Sequence, residues 1–167
     1  MRHSKDGNRR HGNSRGEWYV VVQGLLVLLV LLGPAEMPGL PRWGGPWATV
    51  TLLSAVVVSG AGLLLATLGV LGLGRRNLSP FPRPKEDSQL VATGAYAIVR
   101  HPMYSGVSLI ALGWALAQRS PLVLGYAVML FLFLDIKSRR EEDWLRQKFP
   151  NYSGYQRRVK RLVPFLY

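Results

Sequence analysis

Gly94-Ala95-Tyr96-Ala97-Ile98-Val99-Arg100-His101-Pro102-Met103-Tyr104-Ser105-Gly106 sets an arginine, a histidine and two tyrosines between apolar segments long enough to cross a bilayer. Cationic and titratable side chains at the edge of hydrocarbon are expensive, so their presence there marks a functional site by default. Pro102 keeps a helix from running smoothly through His101, because the residue before a proline is pushed out of the α region. Arg100 and His101 are therefore expected on a bent segment at the mouth of a helix that begins near Pro102 or Met103. A proline in a first helical turn leaves the neighbouring N–H groups free, and such a terminus accepts an anion such as a carboxylate or phosphate.

The chain around this stretch has 167 residues, enough for one domain. Its apolar residues lie in blocks with the charges between them, so the 49% hydrophobic average hides the pattern. There is no cysteine. That excludes a disulfide framework, a thiolate metal site and a cysteine nucleophile. The net charge of +12 suits a nucleic acid or an anionic membrane surface. Alternation with apolar blocks, and the lack of an aromatic-interleaved basic patch, favour membrane lipids and argue against nucleic acid.

Upstream, residues 77–93 carry Pro80, Pro82 and Pro84 ahead of Lys85, Glu86, Asp87, Ser88 and Gln89. Such proline density leaves no regular element, and a cytoplasmic loop is expected. Before it, Pro46 to Gly74 is the longest apolar run, about 43 Å if wholly helical. Gly62 with Ala66, and Ala55 with Ser59, lie four apart, a spacing that lets membrane helices approach closely. Residues 33–45 form a turn-rich outer loop with three prolines and little charge. Trp18 to Leu32 is a first apolar segment, interrupted by Gln23 and Gly24. It competes with a signal-peptide reading, but Pro34 makes a poor cleavage site, and a retained helix is expected. Residues 1–17 read as a basic cytoplasmic tail, and 18–167 as one membrane domain.

Downstream, Met103–Gln118 and Pro121–Leu134 predict two helices joined at Arg119-Ser120-Pro121. Ser120 is the cap and Pro121 sits in the first turn. The second helix is expected to continue into water through Glu141 and Glu142. Tyr152, Tyr155, Val159 and Leu162 share one face of a basic amphipathic helix over 152–163, suited to the membrane surface or to ordinary packing. The fold class is thus all-α and integral to the membrane. It has about four transmembrane helices, the last two a helical hairpin, plus a C-terminal amphipathic helix. Counting positive charges puts both termini and the polar chemistry on the cytoplasmic side.

A hairpin brings Tyr96, Arg100, His101 and Tyr104 to the same depth as Lys137, Glu141 and Glu142. Cationic, aromatic and anionic groups around one space suit a zwitterion: a carboxylate at Arg100 or the helix terminus, an ammonium at a glutamate. Each residue also has an ordinary reading. Arg100 snorkels, His101 caps a backbone group, and Lys137 and Glu141 form a surface pair worth a few tenths of a kcal/mol.

The compound pattern Arg100-His101-Pro102-x-Tyr104, then Glu141-Glu142-x-x-Leu145 one hairpin later, resembles the isoprenylcysteine carboxyl methyltransferases and related phospholipid methyltransferase-like membrane enzymes. Thr93-Gly94, Tyr96, Tyr152-x-x-Tyr155 and Pro164 extend the resemblance over about residues 80–164, roughly half the chain. It implies an integral membrane enzyme using S-adenosyl-L-methionine, without metal, with a lipophilic or small-molecule methyl acceptor. It places Ser88, Gln89, Leu90, Val91, Tyr96, His101, Pro102, Met103 and Tyr104 along the cofactor, with Glu141 at its ammonium and Glu142 also among the cofactor-binding residues. Arg100 or Lys137 is left to orient an anionic acceptor as the catalytic pair. Family members acting on prenylcysteine carry a histidine where this chain has Ser88 and an arginine where it has Lys137. Both departures count against that acceptor. The rival readings are an NADPH-dependent reductase of the sterol-reductase kind, which shares the Arg-His-Pro-x-Tyr segment, and a non-catalytic membrane protein of this fold.

Overall fold

The computed structural model describes residues 17–77, 88–164 and 166. The basic tail before Glu17, the proline-rich positions 78–87 and the side chains of Arg75 and Arg76 lie outside the described residues. Among those described, the regular elements are five α-helices: α1 (Glu17–Leu32), α2 (Ala48–Asn77), α3 (Pro102–Gln118), α4 (Pro121–Lys148) and α5 (Tyr152–Arg158). Short 3-10 turns at Gly45–Trp47 and Gly94–Ala97 precede α2 and α3.

Two helices, α2 and α4, are long and apolar enough to span a bilayer. At 1.5 Å per residue α1 and α3 reach only about 24 and 26 Å against hydrocarbon of about 30 Å. The apolar run of α2 ends at Gly74, whose φ of 69° and ψ of 166° break the helix just before the arginines. That left-handed backbone costs glycine nothing and a residue with a β-carbon a good deal.

The bundle is pinned at the α2–α3 contact. A β-carbon on Gly106 would lie 2.5 Å from the Gly62 carbonyl oxygen and 2.7 Å from the Ala66 β-carbon. One on Gly113 would overlap Ser59 and the Ala55 carbonyl. Both small-residue pairs read from the sequence therefore sit at the seam. In an apolar solvent, where burying apolar surface gains little, such close backbone approach supplies the dispersion contact that holds helices together.

The α3–α4 hairpin turns where expected. Arg119 takes the left-handed conformation (φ 52°), and Ser120 Oγ accepts from the Val123 amide at 3.1 Å. The same hydroxyl donates to the Ala35 carbonyl at 2.6 Å, tying the 33–45 loop to the turn. α1 packs along α4 through Val30, Leu130 and Leu134, with Trp18, Tyr19 and Phe133 clustered at one end. α4 runs unbroken past Leu134 to Lys148, so one rigid rod carries both an apolar half and Lys137, Glu141 and Glu142.

The C-terminal helix differs from expectation. It ends at Arg158 instead of running to residue 163, because Val159 is extended (φ −119°, ψ 136°) and Lys160 bridges in parallel to Val99. Its aromatic face is turned inward: Tyr152 and Tyr155 are buried, as is Leu162 beyond the helix. The three- and four-residue spacing recorded packing against the protein interior.

Gly106→Val should therefore lower the thermal midpoint in nanodiscs by the cost of overpacking, roughly 1–3 kcal/mol. Gly60→Ala, on the same helix as Gly62 but with open space around it, should leave the midpoint unchanged or raise it. Equal losses in the two variants would contradict a seam at Gly62–Gly106.

Candidate functional site

The site grows from the bend before α3. His101 has φ −126° and ψ 65°, outside the helical region as a pre-proline residue must be. Its side chain makes no capping bond to α3. The bend is held from behind by the C-terminal segment. The Arg100 amide donates to the Lys160 carbonyl at 2.8 Å, and the His101 amide to the Arg161 carbonyl at 3.1 Å. Ser105 Oγ donates to the Leu162 carbonyl at 2.6 Å.

Arg100 and Glu142 meet beneath this bend. Arg100 Nε lies 2.6 Å from Glu142 Oε1, and Nη2 lies 3.2 Å from Oε2. Nη1 donates to the Gln156 carbonyl at 3.1 Å and also to the Val159 carbonyl. Glu142 further accepts from Gln156 Nε2 at 2.8 Å and faces His101 Nε2 at 3.3 Å. The two charged side chains are only 10% and 5% exposed. A buried ion pair holds when its geometry is bidentate and its remaining lone pairs and N–H groups are satisfied, and both conditions are met here.

Neighbouring Glu141 points elsewhere. Its Oε2 accepts from the Tyr104 hydroxyl at 3.0 Å, and His101 Nδ1 stands 3.8 Å away, beyond hydrogen-bond range. The His101 and Tyr104 rings lie parallel with centroids 5.4 Å apart. Glu141 and Tyr104 border a cavity of about 520 Å³ between α1, α2, α3 and α4. The residues singled out from the sequence all border it except Pro102 and Glu142. Pro102 is buried against α2 at Gly69, and Glu142 is turned to Arg100.

The wall formed by Ser88, Gln89, Leu90 and Val91 is fastened at two points. The Gln89 amide donates to Asn77 Oδ1 at 2.7 Å, and Lys148 Nζ donates to Ser88 Oγ at 2.8 Å. Tyr96 is fixed by its carbonyl, which accepts from the Tyr155 hydroxyl at 2.5 Å. Burial pushes the Tyr155 phenol up to about 12. Burial, reinforced by the nearby glutamates, raises Tyr96 and Tyr152 still further. All three are neutral donors at any ordinary pH.

The ordinary reading of Lys137 and Glu141 as a surface ion pair is not met: Lys137 is buried and makes no ion-pair contact with Glu141, although each acts on the other's charge. Lys137 Nζ donates to Gln23 Oε1 at 2.6 Å and lies 5.2 Å from the centre of the Tyr104 ring. Sequence reasoning did not place Gln23 at the site, although an amide interrupting an apolar run was visible. Asn77, Lys148 and Gln156 carried no such mark.

The profile of the phospholipid methyltransferase family matches residues 49–152. The chain is 29% identical over 153 residues to the nickel-cobalt-cadmium resistance protein NccN of Alcaligenes xylosoxydans xylosoxydans, covering 90% of this chain and 64% of that protein. It is 35% identical over 86 residues to protein-S-isoprenylcysteine O-methyltransferase B of Arabidopsis thaliana, covering 50% of this chain and 44% of that protein. Among solved structures, a eukaryotic intramembrane Ras methyltransferase, an isoprenylcysteine carboxyl methyltransferase, shares the fold. Its TM-score is 0.54 at 22% identity, over 92% of this chain and 64% of that one.

Arg100→Met should remove the partner of a buried carboxylate and cost roughly 3–5 kcal/mol of stability. Hydrogen exchange at the Arg100 and His101 amides should accelerate, because the carbonyls at 156 and 159 lose their donor. Unchanged exchange there would show that Arg100 does not hold the C-terminal segment.

Proposed function

The chain belongs to the phospholipid methyltransferase family, and we propose that it is an integral membrane methyltransferase. It takes a methyl group from S-adenosyl-L-methionine and passes it to a lipophilic or small acceptor bearing a carboxylate, amine or thiol. The observation that carries this reading is the division of labour between two adjacent carboxylates. Glu142 is consumed by Arg100, His101 and Gln156, while Glu141, hydrogen-bonded among the described residues to Tyr104 and lying near His101 and Lys137, borders the cavity.

The residues present suit the cofactor. A carboxylate with one phenolic donor still has lone pairs for an ammonium. The apolar side chains of Leu90, Val91 and Met103 and the ring of Tyr96 suit a flat heteroaromatic group. The first N–H groups of α3, which have no helical acceptor, suit a carboxylate. The chemistry that S-adenosylmethionine supplies when bound is a sulfonium methyl group open to in-line displacement. The chain's own task is then to align the reactants and keep water out, not to supply a strong base.

Of the two cations read as the acceptor-orienting pair, Lys137 is the one assigned to this task. Arg100 has all three guanidinium nitrogens committed to Glu142 and to two carbonyls, and acts as a positioning residue. In the membrane we place the site at the cytoplasmic face with both termini, following the basic residues at the chain's ends. Residues 18–167 form a single domain, with the cofactor held by about 80–164.

Titration of the purified protein in nanodiscs with S-adenosylmethionine and S-adenosylhomocysteine, with NADPH in parallel, tests the reading. Both sulfur compounds should bind. Glu141→Ala should weaken them roughly 10- to 100-fold through loss of a charge-assisted hydrogen bond. Binding of NADPH alone would assign the chain to reductase chemistry. Unchanged affinity in Glu141→Ala would remove that residue from the cofactor.

A further inference from the structure

Lys137 is 3% exposed, yet its one hydrogen-bond partner among the described residues is a neutral amide, Gln23 Oε1 at 2.6 Å. Among the described residues no carboxylate oxygen lies within 4.0 Å of its Nζ. An ammonium has three donors and an amide oxygen cancels no charge. Glu141, four residues further along α4, acts on this charge from beyond contact distance. A buried cation with no counter-ion in contact is costly, and an anionic ligand relieves the cost. Gln23 is itself out of place. It sits six residues into an apolar helix, roughly 9 Å along its axis, where a polar side chain is expected to face the interior and to find a partner. Both residues border the same cavity as Glu141, together with the apolar side chains of Val20, Ala66 and Val70. The cavity thus has two polar stations of opposite sign: Glu141 with Tyr104, and Lys137 with Gln23.

We propose that Gln23 is a positioning residue that holds the Lys137 ammonium at the cavity wall, so that α1 completes the site and the held charge selects amphiphiles with an anionic head over those with an ammonium head. This rests on the reading of the cavity as the acceptor site. The amide at position 23 matters because it fixes Nζ without neutralising it. A carboxylate there would form an internal ion pair and cancel the selectivity. An aliphatic residue would leave the lysine side chain free to leave the wall.

The test uses the full chain in nanodiscs. It is titrated calorimetrically with octanoate and with octylamine, with and without S-adenosylhomocysteine, and empty nanodiscs are subtracted. Wild type should bind octanoate at least roughly tenfold more tightly than octylamine, the value of about one charge-assisted hydrogen bond. Gln23→Glu should abolish that preference, Gln23→Leu should weaken octanoate, and Gln23→Asn should restore part of it. S-adenosylhomocysteine affinity should stay at the wild-type value throughout, while the thermal midpoint should fall in Gln23→Leu, where the buried ammonium loses its acceptor. No preference in the wild type, or a preference that survives in Gln23→Glu, overturns the proposal. So does loss of S-adenosylhomocysteine binding in Gln23→Glu, which would assign Lys137 to the cofactor. If S-adenosylhomocysteine fails to bind the wild type, the methyltransferase reading falls, while the titrations without it still decide the role of Gln23.

Discussion

The buried pair between Arg100 and Glu142 is the contact on which the rest of the site depends. It joins the bend before α3, the polar half of α4, and the end of α5 with the strand-like segment after it. Desolvating two charges is expensive, and the cost is offset only because Gln156, His101 and two carbonyls complete the shell. The pair also sets the neighbour's direction. Consecutive residues on a helix differ by about 100°, so turning Glu142 into the protein turns Glu141 toward the cavity. The site is arranged by fixing the residue beside the one it presents.

The second constraint is steric. The α2–α3 seam, tight enough that a β-carbon at Gly62 or Gly106 would collide with backbone, brings Ala66 and Val70 to the cavity opposite Tyr104. α1 supplies the remaining side through Val20 and Gln23. The family profile begins at residue 49 and leaves α1 outside. α1 therefore contributes a polar group, Gln23, to the cavity from outside the residues that the profile matches.

Much of the fold was legible because it is written in local rules. Apolar runs, the Ser120 cap and the pre-proline bend at His101 depend on residues within a few positions of one another. The family resemblance, carried by residues 100–104 and 141–145, agrees with the matching profile and with the shared fold. The C-terminal segment was misread for a physical reason. Tyr152, Tyr155, Val159 and Leu162 keep helical spacing, but periodicity reports only that a face is apolar, not what covers it. Here the cover is the underside of the site, and pairing with Val99 draws Val159 out of the helix.

By itself the sequence determined that the chain is helical and membrane-suited, where its helices turn, and which short stretches hold the polar chemistry. Each of these follows from hydrophobicity or backbone sterics acting over short range. Only the tertiary structure decided which of two adjacent glutamates is a structural counter-ion, that Arg100 is committed to it, and that Lys137 reaches an amide in α1. Those partners stand 42 and 114 positions apart in the chain. No local spacing encodes them, because which charge is neutralised depends on what the packing of distant helices brings within hydrogen-bond reach.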